Sequence, residues 1–276
     1  MRIGFIGAGS MGSLLMGAFI RSGALQPTQI VASSRTRSKL SALAERYPGL
    51  QLASSNRGAV MDSDFVVLCV KPMDYRRVIE EIASSLTPDQ IVISITSPVK
   101  LSQLEELLPC KVAKIIPSVV NGVGSGATLF MWGSRLSAGD REELLRLFSS
   151  ISRPIEIEEE EVRAASDLSS CGPAFLAYLL DDFILAAVSM GMDRQTATSL
   201  ASEMMLGTAR LLLEYPCTPA ELQAKVTVPG GITEVALDVL RKSTRGAFMD
   251  VLNTTHEKFA EDLDRVEGSL FPRERT

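Results

Sequence analysis

The chain has 276 residues, 46% of them hydrophobic and 22% charged, with a formal net charge of -5. That is enough apolar material for a sizeable core and two domains, and it excludes a disordered chain apart from the C-terminal tail. The acidic balance and scattered Lys and Arg exclude a nucleic-acid patch, and Cys69, Cys110, Cys171 and Cys217 form no C-x-x-C pair, so neither a disulfide framework nor a metal site is expected.

Residues 2–6 read as a short buried strand, and Met11 to Arg21 carries apolar residues at helical spacing. Between them Gly7, Gly9 and Gly12 satisfy the G-x-G-x-x-G pattern, with Ser10 and Met11 inside it. Glycines at this spacing allow a tight turn, bring the backbone close to a pyrophosphate and let helix pack on strand, while N–H groups at the helix start hold the phosphates. The alternatives are a glycine-rich turn that binds nothing and a targeting segment, since Arg2 and the apolar stretch to Ile20 have the outline of a signal peptide. The glycines, the charges that follow and the lack of a small-residue cleavage site before Arg21 oppose the latter. No window reaches the length of uninterrupted apolar residues needed to span a bilayer, so the expectation is a soluble cytoplasmic protein with no membrane contact.

Strand-like segments at 29–33, 64–70, 90–95 and 111–116 alternate with helical stretches. Alternation of this kind implies right-handed crossovers in a parallel sheet, with the ligand crevice at the strand carboxyl ends. Residues 126–132 and 154–157 add further strands, and the acidic run 156–161 reads as a solvated helix start. From about Ala164 helical patterns dominate, at 173–190, 194–214, 219–226, 233–241 and 246–262. The expected class is therefore α/β, with a Rossmann-type dinucleotide-binding domain over 1–160 and an all-helical dimerisation and substrate domain over 161–276. The stripe Phe175, Leu179, Phe183, Ala186 and Met190 exceeds what one small helical domain hides. A homodimer through the C-terminal helices would bury it; the alternative is that the same faces pack on the first domain.

About twenty residues past the glycine loop, an acidic residue would accept hydrogen bonds from the ribose 2′-hydroxyl of NAD. Ala32-Ser33-Ser34-Arg35-Thr36 stands there instead, and the Ser34 hydroxyl and Arg35 guanidinium suit a 2′-phosphate, which favours NADPH over NADH. The alternative is that Ser34 or Thr36 caps the next helix and Arg35 is solvated. The only histidine, His256, has no motif around it, which disfavours a His-dependent dehydrogenase, and Cys171 reads as a structural thiol. Two stretches, Ser169 to Phe175 and Val228 to Thr233, set small residues and backbone donors at a helix start, where a carboxylate can bind.

The ordered motifs GAGSMG, VKP at Val70 to Pro72, SIT at Ser94 to Thr96, CGPAF and VPGGIT resemble those of pyrroline-5-carboxylate reductases over roughly residues 1–260. The resemblance implies an N-terminal NAD(P)-binding domain, a helical C-terminal domain that interlocks two subunits, and reduction of a cyclic imine acid to proline. It implies a pyrophosphate at Gly7 to Gly12, a 2′-phosphate near Ser34 and Arg35, the adenosine ribose near Asn56, and Val70, Lys71 and Pro72 beside the nicotinamide. It further implies that backbone N–H groups at Gly230 and Gly231 hold the substrate carboxylate while the Thr233 hydroxyl, the implied catalytic group, contacts the imine nitrogen; capping of the following helix is the other role open to Thr233. The chain departs from the family pattern at Val228, where the family has Ser, at Ile116-Pro-Ser-Val-Val120 for Met-Pro-Asn-Thr-Pro, and at Ser169-Ser-Cys-Gly-Pro-Ala-Phe175 for Ser-Gly-Ser-Gly-Pro-Ala-Tyr. The combination of SITSP, IPS, ASD and SCGPAF is most similar to a divergent branch of the family associated with the late-competence operon of Bacillus-type bacteria. That likeness implies a reductase fold with an open physiological reaction, and a nucleotide-binding regulatory role is the alternative function.

Overall fold

Runs such as Ile3-Gly-Phe-Ile6 and Phe65-Val-Val-Leu68 are buried at every position, as strands must be when helices cover both faces of a sheet. The computed structural model describes residues 1–272. In chain order it begins β1 (Ile3–Ile6), α1 (Ser10–Arg21), β2 (Ile30–Ser33), α2 (Arg37–Arg46), β3 (Gln51–Leu52), α3 (Asn56–Val60), β4 (Phe65–Leu68) and α4 (Tyr75–Ile82). It continues with β5 (Ile91–Ser94), α5 (Leu101–Leu107), β6 (Lys111–Ile116), β7 (Ala127–Trp132), α6 (Ala138–Ser149), β8 (Arg153–Glu156) and α7 (Val162–Ser166). A π-helical turn at Asp167–Cys171 leads into α8 (Gly172–Ser189), α9 (Arg194–Glu214), α10 (Pro219–Val226), α11 (Ile232–Ser243) and α12 (Ala247–Leu270).

The strands form one sheet in the order β3-β2-β1-β4-β5-β6-β7-β8. All neighbours are parallel except β6 and β7, so the last two strands run against the rest. The parallel sheet expected from the alternation holds for β1 to β6, and β7 turns back because the link between it and β6, 117–126, is too short for a parallel crossover. One face of the sheet is sealed by α1 and α6, where Phe19 and Phe130 each meet the Phe148 ring edge-on at centroid distances of 5.2 and 5.5 Å. On the other face Val66, Leu68, Tyr75, Ile79 and Leu104 pack with Val266 and Leu270 from the end of α12.

Two compact units result, one of residues 1–173 together with the stretch from Thr255, the other Ala174–Thr254. The second is helical, and its ends follow local chemistry. Asp193 caps α9 by accepting the Thr196 N–H at 2.9 Å, and Thr218 caps α10 with Glu221 closing a reciprocal capping box. Its buried apolar cluster contains only Ile184, Ala197 and Ala201. One continuous helical run, Glu159–Ser189, is long and apolar enough to cross a bilayer by length and composition, and only 6% of its most apolar window is buried. The expectation concerns an uninterrupted apolar stretch, and Asp167 with the adjacent Asp181 and Asp182 breaks this run before that length.

Candidate functional site

The carboxyl ends of β1, β2 and β4 gather the first group of site residues. Gly7 has φ +110°, and a Cβ there would strike the Cys69 carbonyl, while a Cβ on Gly12 would strike the carbonyl of Gly7. The turn is tied to its neighbours by Gly7 N–H to the Ser33 carbonyl and Cys69 N–H to the Ile6 carbonyl, both at 2.8 Å. Helix α1 then starts from Gly9 with no side-chain cap and no acidic residue in its first turn. The space where a Cβ of Gly9 would stand is empty to 4 Å. The amides of Ser10, Met11 and Gly12 therefore lack intrahelical partners at the positive end of a helix, beside open room, which is what a pyrophosphate requires. This geometry fits a dinucleotide.

At the end of β2 the Ser33 hydroxyl donates to Asn56 Oδ1 at 2.7 Å, and Asn56 Nδ2 donates to Glu81 Oε2 at 2.7 Å. Asn56 is thus held in a polar chain from strand to helix. Ser34 Oγ accepts the Thr36 N–H at 3.3 Å, and Thr36, the N-cap of α2, makes no side-chain cap bond, so neither hydroxyl caps that helix. Arg35 is not merely solvated: its two terminal nitrogens lie 3.3 and 3.1 Å from the Asp74 carboxylate, which also accepts from Arg77 at 3.0 Å. The Arg35 side chain is still 70% exposed, so Asp74 holds it without burying it. Val70, Lys71 and Pro72 follow β4, with Lys71 exposed and its neighbours half-buried. Beside them Tyr75 and Ser94, both fully buried, share a 2.9 Å hydrogen bond, and burial pushes the Tyr75 hydroxyl up to about 12 against the pull of its hydrogen bonds.

Several partnerships carry no signal in the sequence. The Lys114 ammonium, buried in β6, pairs with Glu159 and donates to the Ser97 carbonyl at 3.1 Å; Glu159 also accepts the Leu101 N–H at 2.9 Å. The acidic run is therefore not simply a solvated helix start, because one of its carboxylates neutralises a buried cation. Burial pulls the Lys114 pKa down, and the charge of Glu159 opposes that pull. Asp167, in the π turn, is buried and accepts from Arg163 and from the Thr255 hydroxyl, each at 2.7 Å, with His256 Nδ1 3.8 Å from the same carboxylate. Arg163 also reaches Cys171 Sγ at 3.3 Å. The two departing segments bond one another: Ser118 Oγ donates to the Ser169 carbonyl at 2.6 Å and Ser170 Oγ to the Pro117 carbonyl at 3.1 Å. The substituted hydroxyls act as structural ties between β6 and the π turn.

In the second unit, Val228-Pro-Gly-Gly231 forms a β-turn closed by Gly231 N–H to the Val228 carbonyl at 2.9 Å, with Gly230 at φ +74° as a proline-led turn of this type demands. Gly231 is the N-cap of α11 and has no side-chain cap, so Thr233 lies inside the first helical turn and does not cap it. The Gly230 N–H donates to Glu234 Oε2 at 2.7 Å. Gly230, Gly231 and Thr233 belong to this unit, and the glycine loop, Ser34, Arg35, Asn56 and Val70 to Pro72 belong to the other.

Fold and sites define an α/β protein with a Rossmann-type dinucleotide-binding edge and a helical second part. A family model described as pyrroline-5-carboxylate reductase dimerisation matches residues 159–262, and one described as NADP oxidoreductase, coenzyme F420-dependent, matches residues 2–98. ComE operon protein 4 of Bacillus subtilis is 38% identical over 96% of this chain and 98% of its own, and pyrroline-5-carboxylate reductase of Methanosarcina acetivorans is 33% identical over 94% and 97%. The chain belongs to the pyrroline-5-carboxylate reductase family. Among solved structures, Plasmodium falciparum pyrroline carboxylate reductase with NADP bound shares the fold at a TM-score of 0.83 and 22% identity, covering 98% of both chains. The Coxiella burnetii pyrroline-5-carboxylate reductase matches at 0.81 and 26%, over 97% of this chain and 98% of its own.

Proposed function

We propose that this chain is an NADPH-dependent reductase of the C=N bond of a small cyclic imine, with 1-pyrroline-5-carboxylate as the first candidate and proline as its product. One observation carries the reading: α1 and α11 both start from a glycine with no side-chain cap, so each presents unpaired amides to an anion. The first is assigned to the dinucleotide pyrophosphate, with Ser34 and Arg35 toward the 2′-phosphate, Asn56 toward the ribose, and Val70, Lys71 and Pro72 toward the nicotinamide. The second is assigned to the substrate.

When bound, the reduced nicotinamide supplies a hydride. The work left to the chain is orientation. Unpaired amides in the first turn of α11, just after the Gly230-Gly231 turn, position the ring, and the Thr233 hydroxyl accepts a hydrogen bond from the protonated imine nitrogen. A protonated C=N already draws hydride to its carbon; the double-bond electron pair settles on nitrogen, and the amine formed takes its next proton from water. No histidine is required. The helical unit works as a homodimer in this reading, a second copy covering the apolar residues that stay exposed on one chain.

The second reading, a nucleotide-binding regulatory protein with weak or no turnover, draws on Val228. A hydroxyl near the substrate seat is there replaced by two methyl groups, and loss of one buried donor costs about 1–3 kcal/mol. Purified protein assayed with NADPH, NADH and 1-pyrroline-5-carboxylate separates the two. Imine-dependent oxidation of NADPH supports the reductase. NADPH binding without oxidation at high imine concentration, with turnover restored by Val228→Ser, supports the regulator.

A further inference from the structure

The guanidinium assigned above to the 2′-phosphate is already engaged within the chain. Its two terminal nitrogens face the two oxygens of Asp74, at 3.3 Å to Oδ1 and 3.1 Å to Oδ2, the fork-on-fork pairing that a phosphate also favours. Arg77 donates to the same Oδ1 at 3.0 Å, so one carboxylate gathers two guanidiniums. Asp74 stands at the N-cap of α4 yet makes no side-chain cap bond, so its carboxylate serves the arginines and not the helix amides. The end of β2 carries no acid of its own, but an acid from the turn after β4 reaches the Arg35 guanidinium, and all three residues belong to one compact unit. The Asp74 side chain is 20% exposed, against 70% and 50% for Arg35 and Arg77, so its charge is the least screened by water of the three.

We infer that Asp74 is a specificity-determining residue for the cofactor: it competes in cis with a 2′-phosphate for the Arg35 guanidinium and so limits the preference of this chain for NADPH over NADH. This rests on the assignment of Arg35 to the 2′-phosphate above. A phosphate dianion brought to Arg35 meets the Asp74 charge on the same guanidinium and must displace it or bind against it. A ribose 2′-hydroxyl carries no charge and meets no such cost. Two positive charges against one still leave the wild type with a net preference for NADPH. Without the Asp74 charge, Arg35 and Arg77 repel one another, and the dianion becomes the group that relieves them. Two other roles for Asp74 lead to different outcomes. If it only orients Arg35 for the phosphate, its removal weakens NADPH; if it only complements the positive start of α4, its removal shifts the melting temperature and neither cofactor.

The test is a fluorescence titration of NADPH and of NADH on the full chain, in the wild type, Asp74→Asn and Arg35→Ala, at low and at high salt, with a melting curve for each protein. Asparagine keeps the size of the side chain and is as good an N-cap as aspartate, so only the charge is removed. Asp74→Asn should tighten NADPH about tenfold at low salt and leave NADH within about twofold, and the gain should shrink at high salt, where charges are screened. NADPH bound no more tightly by Asp74→Asn than by the wild type, or an equal gain for both cofactors, overturns the role of Asp74; a selective loss of NADPH in Arg35→Ala then leaves the 2′-phosphate assignment standing. Equal losses of both cofactors in Arg35→Ala overturn that assignment and this inference with it.

Discussion

Arg35 and Asp74 show how a charge is held in place without being buried. The guanidinium is fastened by a carboxylate 39 positions away, yet most of its surface stays exposed. Replacement of Arg35 by Ala should weaken NADPH by about 1–3 kcal/mol and leave NADH nearly untouched; equal losses for the two cofactors in a fluorescence titration would remove the 2′-phosphate role. At the buried end of the scale stands Lys114. Breaking a buried ion pair from one side costs about 3–5 kcal/mol because the remaining charge keeps its desolvation penalty. Since the Glu159 side chain keeps 28% of its exposure, Lys114→Ala should fall near the lower figure in urea unfolding.

At the scale of single elements, α6 offers a test of pH dependence. Ser137 caps it, Asp140 closes the reciprocal box, and Lys111 adds an ion pair at 2.9 Å. Burial alone would raise the Asp140 pKa, but the hydrogen bonds from Ser137 and the Lys111 charge outweigh it and hold the group below its usual 3.8. A depressed carboxylate pKa means stability fully present above 3.8 and lost as pH falls through the folded value. Melting curves from pH 6 down to pH 3 should show that loss in the wild type and a flatter slope in Asp140→Asn, while Ser137→Ala costs about 1 kcal/mol at neutral pH. The α1 start is legible in the residues alone, because the glycine loop is a demand of local backbone geometry. The bond between Glu234 and Gly230 spans four residues, yet a glutamate after a glycine turn has many rotamers, and its neighbours in sequence do not specify which one it takes.

Across the whole molecule, the second unit buries little of its own apolar surface. Tyr178, Phe183, Met190, Leu213 and Ile232 are all more than half exposed on one chain, far from the usual economy of a monomer. Sedimentation at micromolar concentration should find a dimer, and Phe183→Asp should raise its dissociation constant at least a hundredfold, about 2.7 kcal/mol; a monomeric wild type would contradict the homodimer proposal.

The sequence by itself determined the alternation that builds the sheet, the glycine turn before α1, the start of α10 and the proline-led turn before α11, because each depends on residues within one turn or one strand of each other. Tertiary structure alone decided that the end of α12 returns Val266 and Leu270 to the sheet, and which groups meet the buried charges. Among the buried charges, Lys114 meets Glu159 45 positions away, and Asp167 accepts from the Thr255 hydroxyl 88 positions away. Such pairs leave no periodic trace, since a buried charge requires a partner but does not specify where along the chain it comes from.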